Sequence, residues 1–332
     1  MGRHVNCQRL SLRTLALVTA ALATHALPAA NAPADAARPV RIMVPFLGGS
    51  LSDSVARIVA KKVADHTGRP FSVENRPGDD GHFGAEIVSK AEPDGYTALF
   101  APITNYAVAV NLQTIRHYDL ANDFAPVTLI ANAPHVLVAH PSLPIRSIGE
   151  LIVAARSKPG QLRWASHGPR SLSQLETEMF RRLTGVKATS VPYASSAKAL
   201  PELLAGNVDL LFDSIAGTLP HIQSGKLRGI AVASARRSPA LARLPTVAEA
   251  GVKGYEANYW YGLLLPDGVS QVIIDRLQRD FATALGANDV KELLLRYGIE
   301  PHSSTPGELA KIMHGEIAKW AKVIREAGIK IE

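Results

Sequence analysis

Three short segments of the sequence carry small, hydroxylated and histidine residues in an order that suits the binding of an anion. They cover residues 46–52, 166–171 and 192–196, and each lies between a predicted strand and a predicted helix. Such a loop presents backbone N–H groups at the positive end of a helix dipole, where a negative charge is stabilised. Ordinary helix capping explains any one of them, because Ser and Gly are common caps. Three together, in two halves of the chain, predict a cleft that holds an anion.

These loops supply most of the candidate ligand-binding residues. They are Phe46, Leu47, Gly48, Gly49, Ser50, Ser52, Ser166, His167, Arg170, Ser171 and Tyr193. Arg170 is unexpected, since a cation beside a helix N-terminus is unfavourable unless an anion lies between them. Its planar guanidinium can bind a carboxylate through two parallel hydrogen bonds. We predict that Arg170, helped by His167, holds a second acidic group of the ligand; the alternative is an Arg170 that points into solvent.

Asp213 is a further candidate with two possible roles. It follows an apolar strand, residues 208–212, at the end of the strand that faces the predicted cleft. Its carboxylate either receives a polar group of the ligand or caps the helical segment 214–222.

Enzymatic chemistry finds no support in the sequence. No two of the eleven histidines lie three or four residues apart, so no helical zinc pair exists, and no G-x-S-x-G elbow occurs. The glycines of residues 78–84 follow a proline and lack the dinucleotide fingerprint, which favours a turn. We predict a binding protein with no catalytic residue, no metal and no cofactor.

The N-terminus has the layout of a secretory signal. Three arginines among the first 13 residues precede an apolar run over residues 15–23 and then small residues. The run is too short for a bilayer, which takes about 20 residues. We predict a signal peptide over residues 1–36, cleaved close to Ala36, with Ala32 as the second possible site, and a periplasmic mature chain; the alternative to cleavage is a retained N-terminal anchor. The only cysteine, Cys7, lies within the signal, so we expect no disulfide in the mature protein.

Composition narrows the class of partner. The formal net charge of +7 is modest for 332 residues and is spread along the chain, whereas a nucleic-acid-binding domain carries a basic patch or stripe. We predict no nucleic-acid partner. With 47% hydrophobic residues, the chain can bury a large core without disulfides.

From residue 40 onward, apolar strand segments alternate with amphipathic helical segments. Two series of this kind predict βαβ units around parallel sheets, hence an α/β fold with two lobes. The three C-terminal helices have no strands of their own, so the chain must return to the first lobe. We predict lobe one at residues 37–138 plus 260–332 and lobe two at 139–259, joined by two crossing strands with the cleft between them.

Two copies of an S/T-x-x-E pattern predict capping boxes at helix N-termini. Ser173 with Glu176 is predicted to open a helix that stops at Gly185. Thr305 with Glu308 is predicted to open the last helix, which ends by Gly328.

Short motifs in a fixed order extend over essentially the whole mature chain. They are Val44-Pro45-Phe46 with Gly48-Gly49 and Ser52-Asp53, Glu74-Asn75-Arg76-Pro77-Gly78, Pro93-Asp94-Gly95-Tyr96-Thr97, Asp123-Phe124-Ala125-Pro126-Val127, Val191-Pro192-Tyr193, Phe212-Asp213, Leu219-Pro220-His221-Ile222, Pro245-Thr246-Val247-Ala248-Glu249-Ala250-Gly251 and Ala318-Lys319-Trp320. In this combination the sequence closely resembles the Bug receptors, the substrate-binding subunits of tripartite tricarboxylate transporters.

The resemblance implies a type II periplasmic binding protein fold and a carboxylate ligand held between the lobes. It implies ligand contacts from residues 46–52, Thr104, Asn105, residues 166–171, Tyr193 and Asp213. It also implies membrane permease subunits as partners, and we expect a monomeric solute receptor. The alternative is a periplasmic sensory receptor that presents a bound carboxylate to a membrane signalling protein.

Overall fold

The computed structural model describes residues 38–112, 118–168 and 171–329, without the side chain of Asp80. The predicted signal peptide therefore lies outside the described residues. The strands are β1 (Val40–Val44), β2 (Phe71–Asn75), β3 (Thr97–Pro102), β4 (Phe124–Asn132), β5 (His135–Ala139), β6 (Arg163–Ser166), β7 (Thr189–Pro192), β8 (Leu210–Ser214), β9 (Arg228–Val232), β10 (Trp260–Pro266) and β11 (Glu300–Pro301). The helices are α1 (Leu51–Thr67), α2 (His82–Ser89), α3 (Ile103–Ala109), α4 (Ile148–Ser157), α5 (Leu172–Thr184), α6 (Ser196–Leu204), α7 (Ile215–Gln223), α8 (Gln271–Gly286), α9 (Asn288–Arg296) and α10 (Pro306–Ala327).

The strands form two sheets, one in each lobe of the predicted α/β fold. Lobe one holds the order β11-β4-β10-β3-β1-β2, and lobe two holds β7-β6-β8-β5-β9. The βαβ units are parallel as predicted, since β1 pairs in parallel with β2 and β3, and β6 with β7 and β8. The sheets are nevertheless mixed. β10 runs antiparallel to β3 and β4, and β5 runs antiparallel to β8 and β9, because each of these strands enters its sheet from the other lobe.

Two chain segments connect the sheets side by side. The first follows β4, which ends at Asn132, and reaches β5 at His135; the second returns through Tyr259 to β10. The N–H of Ala133 donates to the carbonyl of Tyr259 at 2.9 Å, and the N–H of Tyr259 donates to Oδ1 of Asn132 at 3.2 Å. These bonds hold the two connections together at the base of the lobes.

The last helix packs against both lobes. Trp320 of α10 is fully buried and belongs to one apolar cluster with Phe180 of α5 and Val108 of α3. Its indole N–H donates to Oε2 of Glu316 at 2.8 Å, so the buried polar edge of the ring is satisfied. None of the described helices is long and apolar enough to cross a membrane.

Candidate ligand-binding site

A pocket of about 850 Å³ is lined by residues from elements of both sheets. Lobe one contributes the starts of α1 and α2, one face of α3 and the start of β10. Lobe two contributes β5, the loops after β6 and β7, the starts of α5 and α6, and the end of β8. Strand ends and helix N-termini of this kind are where α/β folds bind small molecules.

The pocket brings together part of the residue set predicted from the sequence. The predicted residues that line it are Phe46, Asn105, His167, Ser171, Tyr193 and Asp213. The predicted residues that lie outside its lining are Leu47, Gly48, Gly49, Ser50, Ser52, Thr104 and Ser166. Arg170 lies outside the described residues. The contribution of each of these side chains to ligand binding stays a prediction.

The loop at residues 46–52 uses most of its polar groups within lobe one. Ser50 is the N-cap of α1 and accepts from the N–H of Asp53, while the N–H of Gly49 donates to Oδ2 of Asp53 at 2.8 Å. The hydroxyl of Ser52 donates to the hydroxyl of Tyr261 at 3.1 Å in the protein interior. Leu47 is 69% exposed. The loop therefore reaches the pocket through apolar side chains, Phe46 and Leu51, rather than through its serines.

Thr104 and Asn105 open α3 next to the returning connection. Buried Thr104 donates to the carbonyl of Asn258 and accepts from the N–H of Trp260, both at 3.0 Å, and these bonds fix that connection. Asn105 lines the pocket and donates to the hydroxyl of Tyr259 at 3.0 Å. The sequence did not indicate Tyr259 as a pocket residue.

Asp213 faces the pocket and does not cap α7, so that alternative is wrong. The cap is Ser214, whose hydroxyl accepts from the N–H of Gly217 at 3.2 Å. Oδ2 of Asp213 accepts from the hydroxyl of Ser196 at 2.6 Å, and Oδ1 accepts from the N–H of Ser214 at 2.7 Å. Burial by itself raises the pKa of this carboxyl, but contacts with His167, Ser196 and His135 outweigh it, and the pKa lies below its usual range. The pocket therefore contains an ionised carboxylate.

His167 lies in the loop after β6, with Nε2 3.6 Å from Oδ1 of Asp213, which is longer than a hydrogen bond. Nε2 has no hydrogen-bond partner among the described residues, and neither has the buried hydroxyl of Ser166. Gly168 has φ +107°, and a Cβ there would lie 3.1 Å from the carbonyl of Tyr193. The loop thus passes so close to Tyr193 that only glycine fits.

Two helix N-termini meet the pocket from lobe two. Ser171 is the N-cap of α5; its hydroxyl accepts from the N–H of Gln174 and donates to the carbonyl of Gly168 at 2.8 Å. Ser195 is the N-cap of α6, but its side chain makes no capping hydrogen bond. The N–H of Lys198 donates to the carbonyl of Ser195 at 3.0 Å, so the N–H groups of Ser196 and Ala197 keep the capacity to meet an acceptor from the pocket.

The predicted capping box at Ser173 and Glu176 was wrong. The helix begins earlier, and the hydroxyl of Ser173 accepts from the N–H of His167 at 2.8 Å. Glu176 is fully buried, and its Oε2 lies 2.8 Å from Nδ1 of His135, a pocket-lining residue on β5. No local sequence pattern points to this pair, because 41 residues separate its members.

A second buried histidine lines the pocket from lobe one. His82 is the first residue of α2, and its Nδ1 lies 2.6 Å from the hydroxyl of Tyr118. It follows the predicted turn at residues 78–81, in which Gly78 and Gly81 both have positive φ. The turn prediction gave no reason to expect a pocket histidine there.

The charge of the pocket comes from few groups. Its described lining contains no lysine or arginine; apart from tyrosines, its titratable side chains are His82, His135, His167 and Asp213. No group of three or more potential metal ligands occurs within residues 38–112, 118–168 and 171–329. Among the described groups, backbone N–H groups, hydroxyls and imidazoles are thus the available partners for an acidic ligand.

Comparisons with known proteins agree with this architecture. The family model for the tripartite tricarboxylate transporter family receptor matches residues 55–329. BugT from Bordetella pertussis is 34% identical over 300 residues, which is 89% of this chain and 91% of BugT.

Solved structures give the same result. An R. palustris protein solved with adipate is 37% identical, with a TM-score of 0.77 over 88% of this chain and 98% of that one. MatC from Rhodopseudomonas palustris, with bound malate, is 31% identical, with a TM-score of 0.72 over 86% and 99%. These matches confirm the predicted two-lobe periplasmic binding protein fold, and the family consists of receptors rather than enzymes, as predicted. The chain belongs to the tripartite tricarboxylate transporter receptor family.

Proposed function

We propose that this protein is an extracytoplasmic solute receptor that binds a small carboxylate for a tripartite tricarboxylate-type transporter. One observation carries the proposal most: the N-termini of α5 and α6 and two imidazoles converge on one wall of a pocket lined from both lobes. Helix N-termini and protonated imidazoles are partners for anions. The adipate and malate in the two related structures support a dicarboxylate as the ligand class.

We further propose how the chain is divided. The first lobe boundary lies between Asn132 and His135 rather than at residue 138, because β5 pairs with β8 and β9 of lobe two. Lobe one then comprises residues 37–132 and 260–332, and lobe two begins at His135 and runs to residue 259. The family supports a periplasmic location and permease partners; a signal peptide over residues 1–36 and a monomeric state complete the proposal.

Thermal shift with a panel of acids tests the proposal. A ligand at one hundred times its Kd adds about 2.7 kcal/mol to the free energy of unfolding. In a chain of this size each kcal/mol raises the Tm by roughly 2–4 °C, so a cognate acid is expected to raise it by about 5 °C or more. If no acid in a panel of aliphatic dicarboxylates, amino acids and aromatic acids raises the Tm while a neutral sugar does, the carboxylate proposal is wrong.

A further inference from the structure

An ion pair lies inside lobe two where β5 meets the pocket. His135 lines the pocket, and its Nδ1 is 2.8 Å from Oε2 of Glu176 on α5. The His135 side chain is 8% exposed and that of Glu176 is fully buried. The pair thus joins a pocket-facing ring to a carboxylate in the core.

A contribution to stability does not by itself explain why a carboxylate is buried at Glu176. Its second carboxylate oxygen, Oε1, is buried without a hydrogen-bond partner among the described residues. The nearby hydroxyl of Tyr255 donates to the backbone carbonyl of Glu176 rather than to its carboxylate. A buried ion pair is seldom more stabilising than apolar side chains of similar volume, and an unpaired buried oxygen is destabilising. Charged groups kept under such conditions are typical of functional sites.

The residues around His135 determine which of its ring nitrogens can contact a ligand. Its ring stacks on Tyr259, with centroids 5.8 Å apart and planes inclined by 16°. Nδ1 is occupied by Glu176, and no residue of the described chain bonds to Nε2. Nε2 is therefore the ring nitrogen that is available to a molecule bound in the pocket.

The groups that face His135 come from several elements. Glu176 lies on α5, Asp213 at the end of β8, His167 in the loop after β6, with ring centroids 6.4 Å apart, and Tyr259 in the returning connection. Burial by itself lowers the pKa of His135, but the charge and hydrogen bond of Glu176, together with the charge of Asp213, raise it above its ordinary value. The ring thus keeps its second proton to a higher pH than a free histidine, and a protonated Nε2 is a donor.

We propose that His135 binds the ligand directly, with Nε2–H donating a charge-assisted hydrogen bond to one carboxylate of the acid. Glu176 is then a positioning residue that fixes the ring and its charge from within the core. This proposal rests on the proposed function and adds to it a residue on β5 that recognises an acidic group.

The test is calorimetric titration of the folded protein with adipate, malate, glutamate and benzoate. With whichever of these binds wild type most tightly, His135→Gln is expected to weaken binding by about 10- to 100-fold, since a charge-assisted hydrogen bond is lost. Glu176→Gln is expected to weaken it by about 10-fold, because its amide oxygen still accepts from Nδ1 but no longer stabilises the imidazolium. Wild-type affinity should fall as pH rises through the raised pKa of His135, and this fall should move to lower pH in Glu176→Gln.

Matched controls lie next to both positions. Glu178→Gln makes the same change on the same helix, where the carboxylate pairs with Arg181 at 2.7 Å near the surface. His140→Gln replaces the histidine that follows β5, whose Nδ1 lies 2.7 Å from the hydroxyl of Ser142. Both controls should bind within about twofold of wild type.

Several outcomes would overturn the proposal. A folded His135→Gln protein that binds within about twofold of wild type leaves His135 without a ligand contact. A Glu176→Gln protein with a lower Tm but unchanged affinity and pH profile makes the pair purely structural. If His135→Gln does not fold, ¹⁵N spectra of wild type decide, because an acid that leaves the Nε2 resonance of His135 unmoved contradicts a direct bond. If wild type binds neither these four acids nor any acid of the thermal-shift panel, the proposed function itself fails.

Discussion

The two buried histidines of the pocket differ in the side chain that pairs with their Nδ1 atom. His82 of lobe one and His135 of lobe two are 5% and 7% exposed, and both use Nδ1 for a hydrogen bond to the protein. The partner of His82 is the phenol of Tyr118, which is neutral because burial raises its pKa far above the ordinary value. The partner of His135 is a carboxylate. Two similar imidazoles therefore receive different electrostatic support, which is set by the side chain that each contacts through Nδ1.

The same contrast extends to the two walls of the pocket. The wall from α3 and the residues after it is mostly apolar: Val108, Ala109 and Leu112 line the pocket there, and Asn105 is its one polar residue in the described lining. The wall from lobe two carries hydroxyls, His167 and the ionised Asp213. We infer that lobe two recognises charged groups of the ligand and that lobe one recognises its carbon skeleton.

The largest expected effect comes from breaking the charged pair. Glu176→Ala removes one partner of a buried ion pair and leaves His135 without its hydrogen bond, so the free energy of unfolding should fall by about 3–5 kcal/mol. Urea denaturation measures it. Glu178→Ala removes a partly exposed ion pair with Arg181 on the same helix and should lower the free energy of unfolding by about 1 kcal/mol or less. Equal losses of unfolding free energy in the two variants would mean that the buried pair of Glu176 is no more important for stability than the partly exposed pair of Glu178.

A smaller effect on stability is expected when His135 loses its charge at higher pH. Because the pKa of His135 is raised in the native state, its contribution to stability is complete below the unfolded value of about 6.5 and is lost as pH rises through the native pKa. Asp213 has the opposite sign: its lowered pKa gives a contribution that is present above about pH 3.9 and is lost as pH falls through the native value. Unfolding free energies measured from about pH 6 to 9 should decline in wild type and decline less in Glu176→Gln.

Removing the hydrogen bond between Tyr118 and His82 should lower the free energy of unfolding less than removing the ion pair between Glu176 and His135. Tyr118→Phe removes the hydroxyl that lies 2.6 Å from Nδ1 of His82 and leaves the aromatic packing in place. The expected loss is about 1–2 kcal/mol in the free energy of unfolding, which is the range for one buried hydrogen bond. Urea denaturation at about pH 6 and 9 should also give the same pH-dependent decline as wild type. A loss as large as that of Glu176→Ala would contradict the difference between the two histidine pairs.

The smallest effect is expected from the apolar wall. Val108→Thr exchanges a methyl group for a hydroxyl at a side chain of nearly equal volume, so adipate, with its four methylene groups, should bind about two- to fivefold more weakly. Malate, with one, should change by less than twofold. Calorimetry with both acids measures the difference, and Val153→Thr, at an exposed position on α4, is the control. If Val108→Thr weakens the binding of malate as much as, or more than, the binding of adipate, this wall does not distinguish carbon skeletons.

Local signals in the sequence were sufficient to predict most helices and strands. Gly68, Gly185 and Gly328 end their helices in the left-handed conformation that glycine favours, and the alternation of strand and helix gave the two-lobe class. The site was predicted less completely. The Ser171 loop and Asp213 could be inferred, because strand ends and helix starts are visible in sequence. His82 and His135 could not, because their partners lie 36 and 41 residues away.

The two S/T-x-x-E patterns show where local information ends. At Thr305 and Glu308 both hydrogen bonds of the capping box form, and this helix start is exposed. At Ser173 and Glu176 the same spacing gives no box. There the helix begins two residues earlier, at the N-cap Ser171, and the buried carboxylate of Glu176 pairs with the imidazole of His135 on β5. The sequence by itself determined that a helix begins near each pattern, since capping is local; only the packing of α5 on β5 decided that Glu176 would lie in the core behind a pocket histidine.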